Sequence, residues 1–236
     1  MTGYEALVRW THPARGAISP DVFIPIAEEN GLILTLGEWV MRRACTDAMG
    51  WDHQSKVAVN VSAVQLAHAD LPRLFHQIML DTGLPPRRLE IELTETAIMA
   101  DRDHALHVLR QIKALGVGVA LDDFGTGYSS LETLRAFPFD KIKLDRLFVS
   151  ELEDSPQAIA IIRAVLALGK SLSIPVLAEG IETEQQLIVL RREGCDEAQG
   201  FLLGYPQPLP VSGRPPAGGR AHGEPLHDRD GISEAA

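Results

Sequence analysis

The chain is poor in cysteine, in aromatic residues, in positive charge and in long apolar runs, and each shortage excludes something. Two cysteines among 236 residues, Cys45 and Cys195, read as members of apolar helical stretches, cannot staple a small secreted fold. A reducing, cytoplasmic setting is the expectation. Aromatic residues make up 6%, and Trp10, Trp39 and Trp51 read as packing residues; a base-stacking role stays open only at Trp10, beside Arg9. Lys and Arg total 22 against 32 Asp and Glu, a net charge of −10, which excludes a broad surface for long nucleic acid. A phosphate-bearing partner must then be small or bridged by metal. The longest uncharged run, 198–213, has 16 residues and is broken by Gly200, Gly204, Pro206, Pro208 and Pro210, so no direct membrane insertion is expected. Nothing at Met1 resembles a targeting segment.

What is present is a patterned globular sequence, 45% hydrophobic and 23% charged, of a length common for one α/β barrel. Apolar, β-branched runs at 4–10, 57–61, 89–93, 117–121, 141–144, 175–178 and 199–203 predict seven strands. Helical spacing covers 21–29, 36–49, 97–115, 156–172 and 183–193. Strand and helix in alternation imply a parallel sheet covered by helices.

A polar residue stands at or just beyond almost every strand: Glu5, Asn60, Glu92, Asp122, Lys143, Glu179 and Gln199. Polar groups converging from successive strand ends distinguish a barrel mouth from an open sheet. Such a barrel has eight strands, and the first one read here starts three residues into the chain, so an opening strand is expected to be missing. From 211 to 236 there are five Gly, three Pro and three large apolar residues, which predicts a disordered tail after a domain spanning 1–210.

The converging donors are hard oxygens, the carboxylates of Glu5, Glu92, Asp122, Asp123 and Glu179 with the amide of Asn60; no histidine or cysteine joins them. That set favours magnesium or manganese over zinc, copper or iron. Five gathered carboxylates need cations between them, and two divalent ions bridged by a residue such as Asp122 would meet the need. Lys143 could hold an attacking water and Arg9 could grip a phosphate, which together describe metal-dependent phosphodiester hydrolysis. Simpler readings compete at single positions. Asp122-Asp123 before a glycine could be a turn, and Gly125-Thr126-Gly127 alone is a weak phosphate-loop signal. Asp123-Phe124-Gly125 echoes a kinase motif whose companion motifs are absent. His104 and His107 fall on a polar helical face, and Arg87-Arg88 and Arg191-Arg192 read as solvated loop and helix ends.

Seven ordered stretches resemble the motifs of the EAL domain family: Glu5-Ala6-Leu7-Val8-Arg9-Trp10, Asn60-Val61-Ser62, Glu92-Leu93-Thr94-Glu95, Asp122-Asp123-Phe124-Gly125-Thr126-Gly127, Lys143-Leu144-Asp145, Glu179-Gly180-Ile181-Glu182 and Gln199-Gly200. The resemblance implies a TIM-like (β/α)8 barrel that opens cyclic di-GMP to linear pGpG with two Mg2+ or Mn2+ ions per site. It assigns Glu5, Asn60, Glu92 and Asp122 to one metal and Asp122, Asp123 and Glu179 to the other, leaving Glu179 as ligand or general base. Lys143 would hold the nucleophilic water, Gln199 would orient metal-bound water or phosphate, and Arg9 would bind phosphate. Glu95 would anchor the loop 124–130. Family members also carry an opening helix and strand and a closing helix that this sequence lacks, and Leu147 replaces a usual serine. A non-catalytic module binding cyclic di-GMP or a protein is therefore the alternative, and unpaired strand edges lead to the expectation of a homodimer.

Overall fold

The computed structural model describes residues 2–51, 54–125, 131–153, 155–207 and 224–225. Seven parallel strands form one curled sheet in the order β1 (Gly3–Ala6), β4 (Lys56–Asn60), β5 (Leu89–Thr94), β6 (Gly118–Phe124), β7 (Lys141–Leu144), β8 (Val176–Ala178) and β9 (Glu197–Ala198). A two-residue strand, β10 (Glu224–Pro225), pairs antiparallel with β9 at the far edge. A separate hairpin joins β2 (Trp10–His12) to β3 (Gly16–Ile18). This is the TIM-barrel-like architecture expected, without backbone pairing between β1 and the β9 side among the described residues.

The inner strands are buried on both faces, so β7 reads Lys-Ile-Lys-Leu with every residue buried, and simple alternation fails there. Outside the sheet lie α1 (Pro20–Glu29), α2 (Leu32–Met49), α3 (Ala63–His68), α4 (Leu71–Thr82), α5 (Glu95–Met99), α6 (Arg102–Ala114), α7 (Leu131–Ala136), α8 (Arg146–Ser150), α9 (Pro156–Leu172) and α10 (Glu184–Glu193). Their inner faces bring Phe75, Ile78, Leu109, Ile112 and Ile162 against Ile91, Val119, Ile142 and Val176 in one continuous core. Removing the Phe75 ring from such a site costs about 3–5 kcal/mol.

Several sequence readings shift. The strand read over 4–10 ends at Ala6, and Trp10 belongs to the hairpin, which turns through Gly16 at φ +72°. The helix read over 97–115 is two helices, because Asp101 accepts the backbone N–H of His104 at 3.3 Å and starts α6 afresh. The last parallel strand is Glu197–Ala198; residues 200–203 turn instead, Leu203 donating to the Gly200 carbonyl at 3.0 Å. Gly200 packs so closely on Ile181 that a Cβ would meet its backbone at 2.2 Å. Two unforeseen helices, α3 and α4, announce themselves by caps: Ser62 and Gln65 form a reciprocal capping box, and Asp70 caps α4 ahead of Pro72. Trp10 and Trp39 are largely exposed; of the three tryptophans only Trp51 packs inside. Cys195 follows the end of α10 instead of lying within a helix, and burial first of all pushes both free thiols up to about 12. His104 and His107 do lie on an exposed face of α6. The expected tail, 211–236, falls outside the described residues except for β10.

Candidate active site

Parallel register carries the polar strand-end residues to one mouth. Asn60 pairs with Glu92 across β4 and β5, and Thr94 with Asp122 across β5 and β6. Glu5, one strand over, pairs with Ala58 and so points to the same face as Asn60. Its carboxylate takes a hydrogen bond from Asn60 Nδ2 at 2.7 Å and another from Gln199 Nε2 at 2.9 Å. The second contact joins the two ends of the parallel run, so side chains bridge the mouth where, among the described residues, strands do not.

Asp122 and Asp123 are adjacent in a strand, and regular alternation would send them to opposite faces. A bulge prevents this. Leu121 pairs with Ile142 and Phe124 with Leu144, so two residues of β6 oppose Lys143 alone. Asp123 takes φ +53°, a left-handed backbone that aspartate tolerates better than most side chains. The turned residue brings carboxylate oxygens of Asp122, Asp123 and Glu179 within 4.8 Å of one another.

Lys143, 1% exposed, reaches into this set. Its Nζ lies 2.7 Å from Glu92 Oε2, 3.0 Å from Asp122 Oδ2 and 2.8 Å from Glu179 Oε1. Burial opposes its charge, yet Glu92, Glu179, Glu5 and Asp122 together hold the ammonium well above its ordinary pKa. Among the described residues one cation faces several anions here. Burial, with Asp122 and Glu5 opposing the effect of Lys143, pushes Glu179 up to about 8. Burial, then Asp122, then a hydrogen bond with Asp145 pushes Asp123 up to about 6.

Glu5, Asn60, Glu92, Asp122, Asp123, Lys143, Glu179 and Gln199 thus share one mouth. Arg9 does not join them here: it is exposed, and its guanidinium donates to the Val8 carbonyl at 3.0 Å. Glu95 is buried at the start of α5, but most of the loop it was expected to anchor, 126–130, lies outside the described residues. Asp145 had received no role. It caps α8 through the Leu147 N–H at 2.7 Å while bonding Asp123, and its place two residues after Lys143, opening a helix, was the available signal.

The EAL domain family profile matches residues 1–206. The chain belongs to the EAL domain family. It is 46% identical over 212 residues to the bifunctional diguanylate cyclase/cyclic di-GMP phosphodiesterase MucR of Pseudomonas aeruginosa, covering 88% of this chain and 31% of that protein. A solved structure described as "PaMucR Phosphodiesterase, c-di-GMP complex" superposes on this EAL domain with TM-score 0.84 at 46% identity, over 88% of this chain and 86% of the other. The Klebsiella pneumoniae BlrP1 manganese/cy-diGMP complex superposes with TM-score 0.76 at 31% identity, over 86% and 51%. This EAL domain spans about a quarter to a third of the length of curated relatives it matches.

Proposed function

We propose that the chain hydrolyses cyclic di-GMP to linear pGpG in a metal-dependent reaction. The observation that carries the reading is the crowding of Asp122, Asp123 and Glu179 carboxylates within 4.8 Å, beside Glu92 and with Lys143 as their common cation. An all-oxygen, strongly anionic set of this kind fits magnesium or manganese. Glu5, Asn60, Glu92 and Asp122 would hold one ion, and Asp122, Asp123 and Glu179 the second. The ions would supply the positive charge that acidifies water and stabilises the phosphate oxygens. A relative and two structural neighbours support the substrate through their phosphodiesterase or cyclic di-GMP descriptions.

In this reading Lys143 orients the attacking water through its N–H donors, and Glu179 holds the proton that water gives up. Attack forms a bond from the water oxygen to phosphorus and breaks one P–O3′ bond, and the departing O3′ takes the proton that Glu179 held. Gln199 keeps Glu5 aimed at the mouth, Arg9 swings from Val8 to a phosphate, and Glu95 anchors the loop beyond Gly125. The domain acts in the cytoplasm; no described helix is long and apolar enough to cross a membrane. Among the described residues β1 stands at one edge of the sheet, and in this reading that edge is where a second copy would pair to make a homodimer.

The test is to incubate the chain with cyclic di-GMP and Mn2+, with and without chelator, and follow product by chromatography. Linear pGpG that vanishes with chelator is expected. A rate indifferent to chelator overturns the metal-dependent reading, and saturable binding without product favours the non-catalytic module.

A further inference from the structure

The opposite mouth of the barrel holds a second charged site, unrelated to the chemistry above. A cavity of about 330 Å3 opens there, lined by Lys56 and Lys141 at the starts of β4 and β7, by Arg87 and Arg88 just before β5, and by Glu197. Buried Glu90 stands behind it, accepting Lys56 Nζ at 2.9 Å and Lys141 Nζ at 3.0 Å. Lys141 also meets Glu197 at 3.0 Å. Four cations therefore face two carboxylates among the described residues, and the two arginines account for the surplus.

Arg88, read from sequence as solvated, is only 4% exposed. Its Nε and Nη2 donate to the carbonyls of Ser55 at 3.1 Å and Ala48 at 2.8 Å, neutral acceptors, and no carboxylate pairs with it among the described residues. The guanidinium carbon lies 5.9 Å from the centroid of the Trp51 ring, over its face. Arg87 is exposed and has no carboxylate partner among the described residues. Burial and then the charge of Arg87 draw Arg88 below its ordinary pKa, so the two guanidiniums repel each other across this wall. An anion between them would relieve that repulsion.

We propose that this cavity binds a phosphate group, as inorganic phosphate or as a phosphate monoester, between Arg87, Arg88 and Lys56. The volume lies near the lower end of small-ligand sites and suits a compact ligand. Doubly charged tetrahedral oxyanions match the planar guanidinium donors, with the ammonium adding a point charge. Neutral or cationic ligands gain nothing from a wall with surplus positive charge. Binding stabilises the fold in proportion to occupancy, which gives a readout independent of hydrolysis.

Trp51 is the local reporter once Trp10→Phe and Trp39→Phe remove the exposed tryptophans. The chain is titrated with inorganic phosphate, 5′-GMP and guanosine at constant ionic strength with chelator present, so that the carboxylate mouth stays anionic and repels phosphate. A saturable change in Trp51 fluorescence with a rise in melting temperature is expected for phosphate, 5′-GMP or both, and none for guanosine. A response to phosphate alone identifies the free anion, and one to 5′-GMP alone the monoester. Arg87→Gln should weaken binding roughly tenfold, about the loss of one charge-assisted bond, and Arg87→Glu should abolish it. Arg9→Gln, at the other mouth, should leave it unchanged. The proposal is overturned if guanosine matches 5′-GMP, if no ligand gives saturation, or if Arg87→Gln binds as the parent does.

Discussion

Glu90 and Glu92 lie two residues apart on β5, and Lys141 and Lys143 two apart on β7, so each strand sends one charged group toward either mouth along the same inner face. The two mouths nonetheless differ in kind. Near the strand starts, each oxygen of Glu90 has a lysine and arginines add positive charge. Near the strand ends, Lys143 is the cation that Glu92, Asp122 and Glu179 share among the described residues, with Asp123 and Glu5 close by. One repeated pair of strand residues thus supports a network with surplus positive charge at one mouth and a strongly anionic site at the other. The residues contributed by neighbouring strands decide which.

The comparison breaks most visibly at Asp122. Asp122→Asn should lower hydrolysis of cyclic di-GMP by about 10^3-fold or more, roughly 4 kcal/mol of lost transition-state stabilisation, while raising the melting temperature of the metal-free chain by easing repulsion. Turnover within tenfold of the parent would remove Asp122 from the centre of the site.

Lys141→Ala should next cost about 3 kcal/mol in urea unfolding, because it leaves buried Glu90 with Lys56 alone of its two lysines and takes a cation from half-buried Glu197. Added Mg2+ should not recover that loss. Lys143→Ala should also destabilise the metal-free chain, but Mg2+ should restore most of its stability by supplying the missing positive charge. Equal rescue of both variants would contradict the difference between the mouths.

In kinetics, Lys143→Ala should lower turnover by about 10^2-fold while changing affinity for cyclic di-GMP only a few-fold. Equal losses would assign Lys143 to substrate binding.

The smallest effect concerns pH. Asp123 and Glu179 stand at about 6 and about 8, above the ordinary carboxylate range, so the folded metal-free chain holds protons the unfolded chain has released. Their contribution to stability is complete below the unfolded range and is lost as pH rises through about 6 and then about 8. Melting without metal should fall by a few degrees from pH 5 to pH 8.5, and Mg2+ should raise it more at pH 8.5 than at pH 5. Calorimetric scans at both pH values measure the difference; a flat profile would show that Lys143 already offsets the carboxylate repulsion.

Much of the site was legible because parallel barrel strands end at a common mouth: once 57–61, 89–93 and 141–144 read as strands, Asn60, Glu92 and Lys143 had to meet. The same logic failed for the last parallel strand, which ends at Ala198, the chain beyond turning over Ile181 with Gly200 packed on its backbone. It also failed for Arg88. A charged residue beside Pro86 reads as solvated, and only the packing of α2 and β4 supplies the Ala48 and Ser55 carbonyls and the Trp51 ring that hold it inside.

By itself the sequence determined the alternation of strand and helix, the common mouth and its donor chemistry, because burial periodicity and residue type are local properties. Tertiary structure alone decided how two consecutive aspartates face one site. Alternation separates Asp122 from Asp123; the register of β6 against β7 leaves one residue extra, and Asp123 absorbs it at φ +53°. Register is a relation between strands distant in the chain, so no local pattern encodes where it slips.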